Sequence, residues 1–468
     1  MFGPTSAPSR KVNAMLWRHL CLVRAVTASG LLTCSMIGAS SAAEPAEPIP
    51  GADAQTETVK VLDAEKAGTL AVEVRGQGQD RVRVVLRNTS ANRLNVVLPP
   101  GLVASSATGQ GGGAAGGAGG GGGFQSMGLG SATNRSGGFG QFAGARPEAG
   151  FRSVPAANPD AMANAVTVPA GQKVDLDVPA VCLNFGLPTP TAKDKFHLVD
   201  VDDYSKDARV RKALRSLATL GTSQGTAQAA MWRLCNNVPF ELMLSKGEKV
   251  VNPAEVALAS RFLDALDHGS DLVDPAYLSE ARIFVAIDGD AGLGKEARRL
   301  AAALDGLRVL GLPVRVIAAG EAPTASAPSL HLGVTLVSGA SGETRGRVAI
   351  QAATGLGEPS WSTLGQANFK DASAVAAIDG AALARALDHA VGSALVTTKV
   401  VKRSSNGTTL RIDNRLPFTL AHVTVKAGGS SGSPMVSLPA VGVGPGRAGL
   451  VTIPASNGSI DRVVLNGL

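Results

Sequence analysis

Aromatic residues make up only 4% of this 468-residue chain. Outer-membrane barrels carry aromatic girdles at both interfaces, so this scarcity argues against that class. Long apolar runs are missing as well. Beyond residue 43 no stretch approaches the ~18 uncharged apolar residues of a spanning helix, so no transmembrane segment is expected in the mature chain. The histidines after residue 43 (His197, His268, His331, His389 and His422) are scattered, without an HxH or HxxxH pair, and no zinc site is expected. Neither a GxSxG nucleophile elbow nor a glycosidase-like carboxylate pairing occurs. Cysteine is limited to four residues, two of them, Cys21 and Cys34, within the first 43.

Those first 43 residues read as an export signal. Arg10, Lys11, Arg18 and Arg24 precede the apolar run "AVTASGLLTCSMIG", and "ASSAA" supplies a signal-peptidase site with cleavage after Ala43. A lipoprotein reading at Cys34 is the alternative. The expected location is secreted, periplasmic or cell envelope. Removing four basic residues and no acidic ones takes the net charge from +7 to +3. With no basic stripe interleaved with aromatics, nucleic acid is not an expected partner.

What the chain does contain divides it into α+β, multidomain parts. Residues 44–56 form a proline-bearing, disordered leader. Residues 57–199 alternate apolar and polar side chains, as in "DRVRVVLRNTS", and predict a β-sandwich. A glycine-rich, low-complexity insertion, 109–150, interrupts it and is expected to be a flexible excursion carrying Phe124, Phe139 and Phe142. Residues 200–252 form a helical segment, with Val210, Ala213, Leu214 and Leu217 on one face and an N-cap at Ser223 or Thr226. Residues 253–398 alternate helices and strands, an α/β layered domain with helices largely on one face of a sheet. Residues 399–468 return to β, a C-terminal β-sandwich. "VVLRNTSANRLNVVLPPG" and "LRIDNRLPFTLAHVTVKAG" echo one another, either as related sandwiches or as shared turn chemistry.

Three local patterns invite chemistry. Gly289-x4-Gly294-Lys295 matches the first seven positions of a phosphate-binding loop, but the eighth is Glu296, which cannot hold magnesium as Ser or Thr would and repels phosphate. The glycines then serve a tight strand-to-helix turn. Asp200, Asp202, Asp203 and Asp207 cluster before a helix, where acids suit the dipole, and they lack the spacing of a calcium loop. Cys182, His197 and Asp200 allow a cysteine-nucleophile enzyme on composition alone. No cofactor, metal ligand or catalytic residue is assigned.

The remaining cysteines are Cys182 in "PAVCLNFG" and Cys235 in "GTSQGTAQAAMWRLCNN". In an exported chain two cysteines form a disulfide candidate, Cys182–Cys235, with two buried free thiols as the alternative. Gln228 and Cys235, seven apart, share one helix face at ~10.5 Å separation, so a strand carrying Cys182 across it reaches one or the other. "AQAAMW" also resembles the Thr-Gln-x-Ala-apolar-Trp motif of bacterial surface thioester domains, with Ala227 in place of Thr, and "VCL" is similar to that family's cysteine strand. The resemblance implies a Cys182–Gln228 thioester that captures amines on a target surface. The same residues resemble uncharacterised secreted bacterial proteins. The expectation is an exported, non-enzymatic binding or scaffold protein of the envelope, with an unknown protein or surface ligand as partner.

Overall fold

A computed structural model describes residues 56–106, 126–129, 133–134, 151–153, 165–220, 222–245, 251–269, 273, 283–290, 292–355, 360–404, 407–427, 435–437, 443–453 and 458–466. All fall in the unit Ala54–Leu468. The signal peptide 1–43, the leader to residue 55, most of the glycine-rich block and its three phenylalanines lie outside the described residues. Helices and several separate sheets make the fold α+β.

The first β region comprises β1 (Thr56–Lys60), α1 (Val61–Lys66), β2 (Leu70–Gly76), β3 (Arg81–Asn88), β4 (Arg93–Val97), β5 (Leu102–Ser105), β6 (Ser126–Leu129), β7 (Thr133–Asn134), β9 (Ala165–Val168), β10 (Lys173–Cys182) and β11 (Lys195–Asp200), while β8 (Phe151–Ser153), between β7 and β9 in sequence, pairs with the C-terminal strand Gly458–Asn466. In β3 the period-2 pattern holds: Val82, Val84 and Leu86 are buried while Arg81, Arg83 and Arg87 are exposed. Two strands change partner midway. β10 pairs with β3 through Lys173–Pro179 and with β6 through Ala180–Cys182, and β11 passes from β2 to β5. Together with β2–β3 and β5–β6, these pairings close six strands into a ring, with the sheet β1-β4-β9 sharing its core. β6 corrects the reading of 109–150 as excursion throughout. Met127 is fully buried there, and Gly128 is required because a Cβ would stand 2.4 Å from Leu214.

The helices α2 (Val201–Tyr204), α3 (Ala208–Leu220), α4 (Gln224–Asn236), α5 (Phe240–Ser245) and α6 (Pro253–Ala265) pack on the outside of that ring. Their core joins Val103, Val181 and Leu183 of the strands to Val210, Leu214, Met231 and Phe262. Ser223 caps α4, accepting from the Thr226 N–H, and Asn252 and Glu255 form a capping box on α6. The core therefore groups α6 with α4 and not with the α/β sheet that follows it in sequence.

That sheet is built from β12 (Ile283–Gly289), β13 (Arg308–Val309), β14 (Leu312–Val316), β15 (Ser329–Ser338), β16 (Thr344–Ala353) and β17 (Ser362–Asp371), in the order β13-β14-β12-β15-β16-β17. β12 runs parallel to both neighbours and the other pairings are antiparallel. Helices α7 (Gly294–Leu304) and α8 (Gly380–Leu395) place Leu300, Leu383, Leu387 and Val391 in one core with Ile283 and Val285. The helices and this strand face share one core, as a half-covered sheet requires.

The chain ends with β18 (Val396–Ser404), β19 (Gly407–Asn414), β20 (Thr419–Ala427), β21 (Met435–Ser437), β22 (Ala448–Ile453) and β23 (Gly458–Asn466). This region repeats the first β region in register. Leu70 faces Asn88 as Val396 faces Asn414, and Arg87 faces Lys173 as Asp413 faces Ala448. Leu94 pairs with Val168 as Leu420 pairs with Val443. The buried asparagines act alike. Asn88 Nδ2 donates to the carbonyls of Asn92 at 2.7 Å and Val168 at 3.0 Å, and its Oδ1 accepts from the Ser90 N–H. Asn414 Nδ2 donates to Phe418 at 2.7 Å and Val443 at 2.9 Å, and its Oδ1 accepts from the Leu416 N–H. The opposing turns carry Gly171 and Gly446, both at φ +67°. An asparagine that meets at least three backbone groups at equivalent points around one turn, twice in one chain, makes the sequence echo a structural repeat.

An ion pair between a buried carboxylate and a half-buried arginine ties the helical layer to the second copy. The Glu255 carboxylate, on a residue only 1% exposed, accepts from Arg447 Nη2 at 2.7 Å, Arg447 Nε at 3.0 Å and the Asn252 N–H at 2.9 Å. Gly225 and Gly444 make room for it, since a Cβ at either would lie 2.2 Å or 2.9 Å from the carboxylate. Asn252 Nδ2 also reaches the Pro445 carbonyl at 2.8 Å.

Candidate functional site

β3 leaves β10 after the pair Arg81–Pro179, so beyond it the β10 backbone has an edge to satisfy. Helix α4 supplies the partners. Gln224 Nε2 donates to the Ala180 carbonyl at 2.6 Å. Gln228 grips Cys182 at both ends: its Oε1 accepts from the Cys182 N–H at 2.9 Å and its Nε2 donates to the Cys182 carbonyl at 2.7 Å. Asn236 Oδ1 accepts from the Phe185 N–H at 3.0 Å, and Phe185 meets Trp232 edge-on at 5.0 Å. The fit is geometric. Residues i and i+4 of a helix rise ~6 Å, close to the ~6.7 Å between residues i and i+2 of a strand. The two glutamines thus continue a β-ladder from a helix surface.

The strand therefore meets Gln228, through its backbone. The Cys182 side chain turns into the core of the ring, where its Sγ donates to the Asn184 carbonyl at 3.2 Å, while Cys235 packs against the helical core on the other side of the strand. Neither cysteine is joined in a disulfide in this structure. Burial pushes the Cys235 thiol up to about 12, with the charges of Asp207 and Cys182 adding to the effect, so it stays protonated. Burial likewise raises the Tyr204 hydroxyl, which bonds Ser126 beside the two sulfurs.

No protein-family model matches this chain, and no curated protein matches it. The site is thus read from its own geometry.

Other sequence candidates separate in space. His197 lies on the exposed side of β11 near Glu65, away from the inward Cys182 thiol. Asp200 caps α2, accepting from the Asp202 N–H at 2.9 Å, and Asp202 pairs with Arg215 at 2.6 Å. The acidic cluster is thereby used on helix ends and arginines, and among the described residues no group of three or more metal-ligating side chains assembles. At the phosphate-loop-like segment, a Cβ on Gly289 would sit 2.7 Å from the Leu293 carbonyl and Gly292 has φ +93°, so the turn requires these two, whereas Gly294 has open space around it and is not required by the turn. Sequence reasoning missed Gln224, although its i, i+4 spacing from Gln228 is the readable signal. It also missed a cleft of about 520 Å³ beside α4 and α6, lined among others by Asp207, Arg233, Asn237 and Asp264. Among the described residues no helix is long and apolar enough to cross a membrane.

Proposed function

We propose that the protein is an exported, non-enzymatic binding or scaffold protein of the cell envelope, whose Cys182–Gln228 junction is a structural staple. The observation that carries this reading is the use of Gln224 and Gln228: their amides complete the β10 ladder and lock the helical layer to the ring. A thiol held at about 12, as at Cys235, is a poor nucleophile at neutral pH and fits the same view. Both β regions are read as sandwich derivatives, since the sheet β1-β4-β9 and the ring enclose one core. The export half rests on residues 1–43 and is tested by cell fractionation with N-terminal sequencing. A chain beginning at Glu44 outside the cytoplasm supports it, and an intact N-terminus in the cytoplasm overturns it.

A second reading, the amine-capturing thioester, rests on the sequence resemblance and on Gln228 lying beside Cys182, and it requires the thiol to turn away from the Asn184 carbonyl. Attack of Cys182 Sγ on the Gln228 carboxamide carbon would form the S–C bond and release ammonia. Intact mass of the purified protein separates the cases. A deficit of one ammonia supports the thioester, a deficit of two hydrogens a Cys182–Cys235 disulfide, and the full mass the staple. An enzyme with Cys182 as nucleophile would show rapid alkylation of that thiol at neutral pH, which the staple reading does not expect.

A further inference from the structure

The duplication sets two equivalent sheet edges side by side for comparison. In the first copy β2 lies between β3 and β11, with Phe196 of β11 opposite Val74. Val74 is 2% exposed and belongs to the core. In the second copy Val400 of β18 stands where Val74 stands, as the pairs Leu70–Asn88 and Val396–Asn414 fix by register. The chain does not repeat β11 there: after β22 it continues into β23, which pairs with β20. Among the described residues no strand occupies the outer edge of β18. Val400 is consequently 48% exposed and Val401 51%. An edge of this kind presents a row of unpaired N–H and C=O groups ready to receive another strand.

The chemistry of the edge selects its occupant. Lys399, Lys402 and Arg403 are exposed along β18, while Arg411 on β19 beside it is already paired with Asp413 at 2.7 Å. Two copies of β18 meeting edge to edge would bring like charges together, which opposes self-pairing. An acidic strand meets complementary charge. We propose that the outer edge of β18 accepts an extended acidic segment of a partner protein as an antiparallel strand. An apolar side chain lies opposite Val400, as Phe196 lies opposite Val74, and carboxylates face Lys399 and Lys402, which the register shift between Val400 and Lys402 brings to one face. Main-chain bonds supply affinity and the alternate side chains supply specificity. This goes beyond the envelope-protein reading and does not rest on export, so a failure here leaves that reading to its own test.

The test is fluorescence anisotropy with purified full-length protein and a labelled peptide alternating Glu with Val and Phe. A second peptide carries Lys for Glu. Saturable binding of the acidic peptide is expected, weakened about tenfold or more in Lys399→Glu/Lys402→Glu. That double variant should gain binding of the Lys peptide, a rescue that a misfolded protein cannot show. Val400→Pro should weaken both. Equal binding of the two peptides, an unchanged affinity in the double variant, or no saturation overturns the proposal. A dimer in sedimentation that Val400→Pro abolishes also overturns it and gives the edge to a second copy of this chain.

Discussion

Replacing Gln228 by Ala removes an amide that satisfies two backbone groups of one residue, the Cys182 N–H at 2.9 Å and the Cys182 carbonyl at 2.7 Å. Gln228 is 6% exposed, so water does not readily take its place. Each buried backbone group left without a partner costs about 1–3 kcal/mol, and the pair together about 2–5 kcal/mol. The higher helix propensity of Ala returns only about 0.4 kcal/mol. With a urea slope near 2 kcal/mol/M, the midpoint of the transition that includes α4 should fall by about 1–2 M. Gln228→Glu sharpens the assay. A carboxylate keeps the acceptor for the N–H but faces the Cys182 carbonyl without a donor, whereas the protonated acid restores one. The folded-state pKa of that Glu should be raised. The lost stability should therefore be recovered below its unfolded value, ~4.3, and disappear as pH rises through the folded value. A Gln228→Ala stability within about 0.5 kcal/mol of the parent, or identical pH profiles for the Ala and Glu variants, would refute the ladder argument.

Burial raises the Asp388 carboxyl to about 6 although the Leu310 N–H donates to it, so its ionisation opposes folding. Stability should decline as pH rises from ~4 to 6, by about 2–3 kcal/mol for this group, and Asp388→Asn should remove that decline in denaturant titrations. Arg447→Met leaves Glu255 buried without its guanidinium and should destabilise by about 3–5 kcal/mol, while adding Glu255→Gln should restore much of it in a double-mutant cycle. Asn88→Ala and Asn414→Ala should each cost several kcal/mol, with similar values if the two turns are equivalent; a cost at one position alone would count against the duplication.

Much of the fold was legible wherever one face of an element meets the core. The α3 stripe, the Ser223 cap, β3 and the helix Gly380–Leu395 all carry strong periodicity and appear as read. Elements that fail to bury a regular face were not legible. β17, "STLGQANFKD", has few apolar side chains and is held by its ladder to β16, and β18 is exposed along most of its length. β6 hid in a glycine-rich block because its usefulness depends on Gly128 fitting under Leu214, a tertiary fact. At the site, the sequence brought Cys182 and Gln228 together but directed attention to sulfur. Which atoms meet depends on where β3 stops pairing with β10, and pairing ends are set by the whole sheet. The asparagine turns were visible as an echo because Asn-Thr-Ser and Asn-Arg-Leu sit at matching points, but their shared backbone bonding and strand register appear only in the folded structure.

The clamp between Glu255 and Arg447 spans 192 residues of chain, and that distance imposes an order of events. At ribosomal rates of ~5–20 residues per second, Glu255 emerges roughly 10–40 seconds before its partner. During that interval the carboxylate has no guanidinium, and sealing it between α4 and α6 would cost several kcal/mol. Closing the helical layer over that carboxylate therefore becomes favourable once the second β copy supplies Arg447.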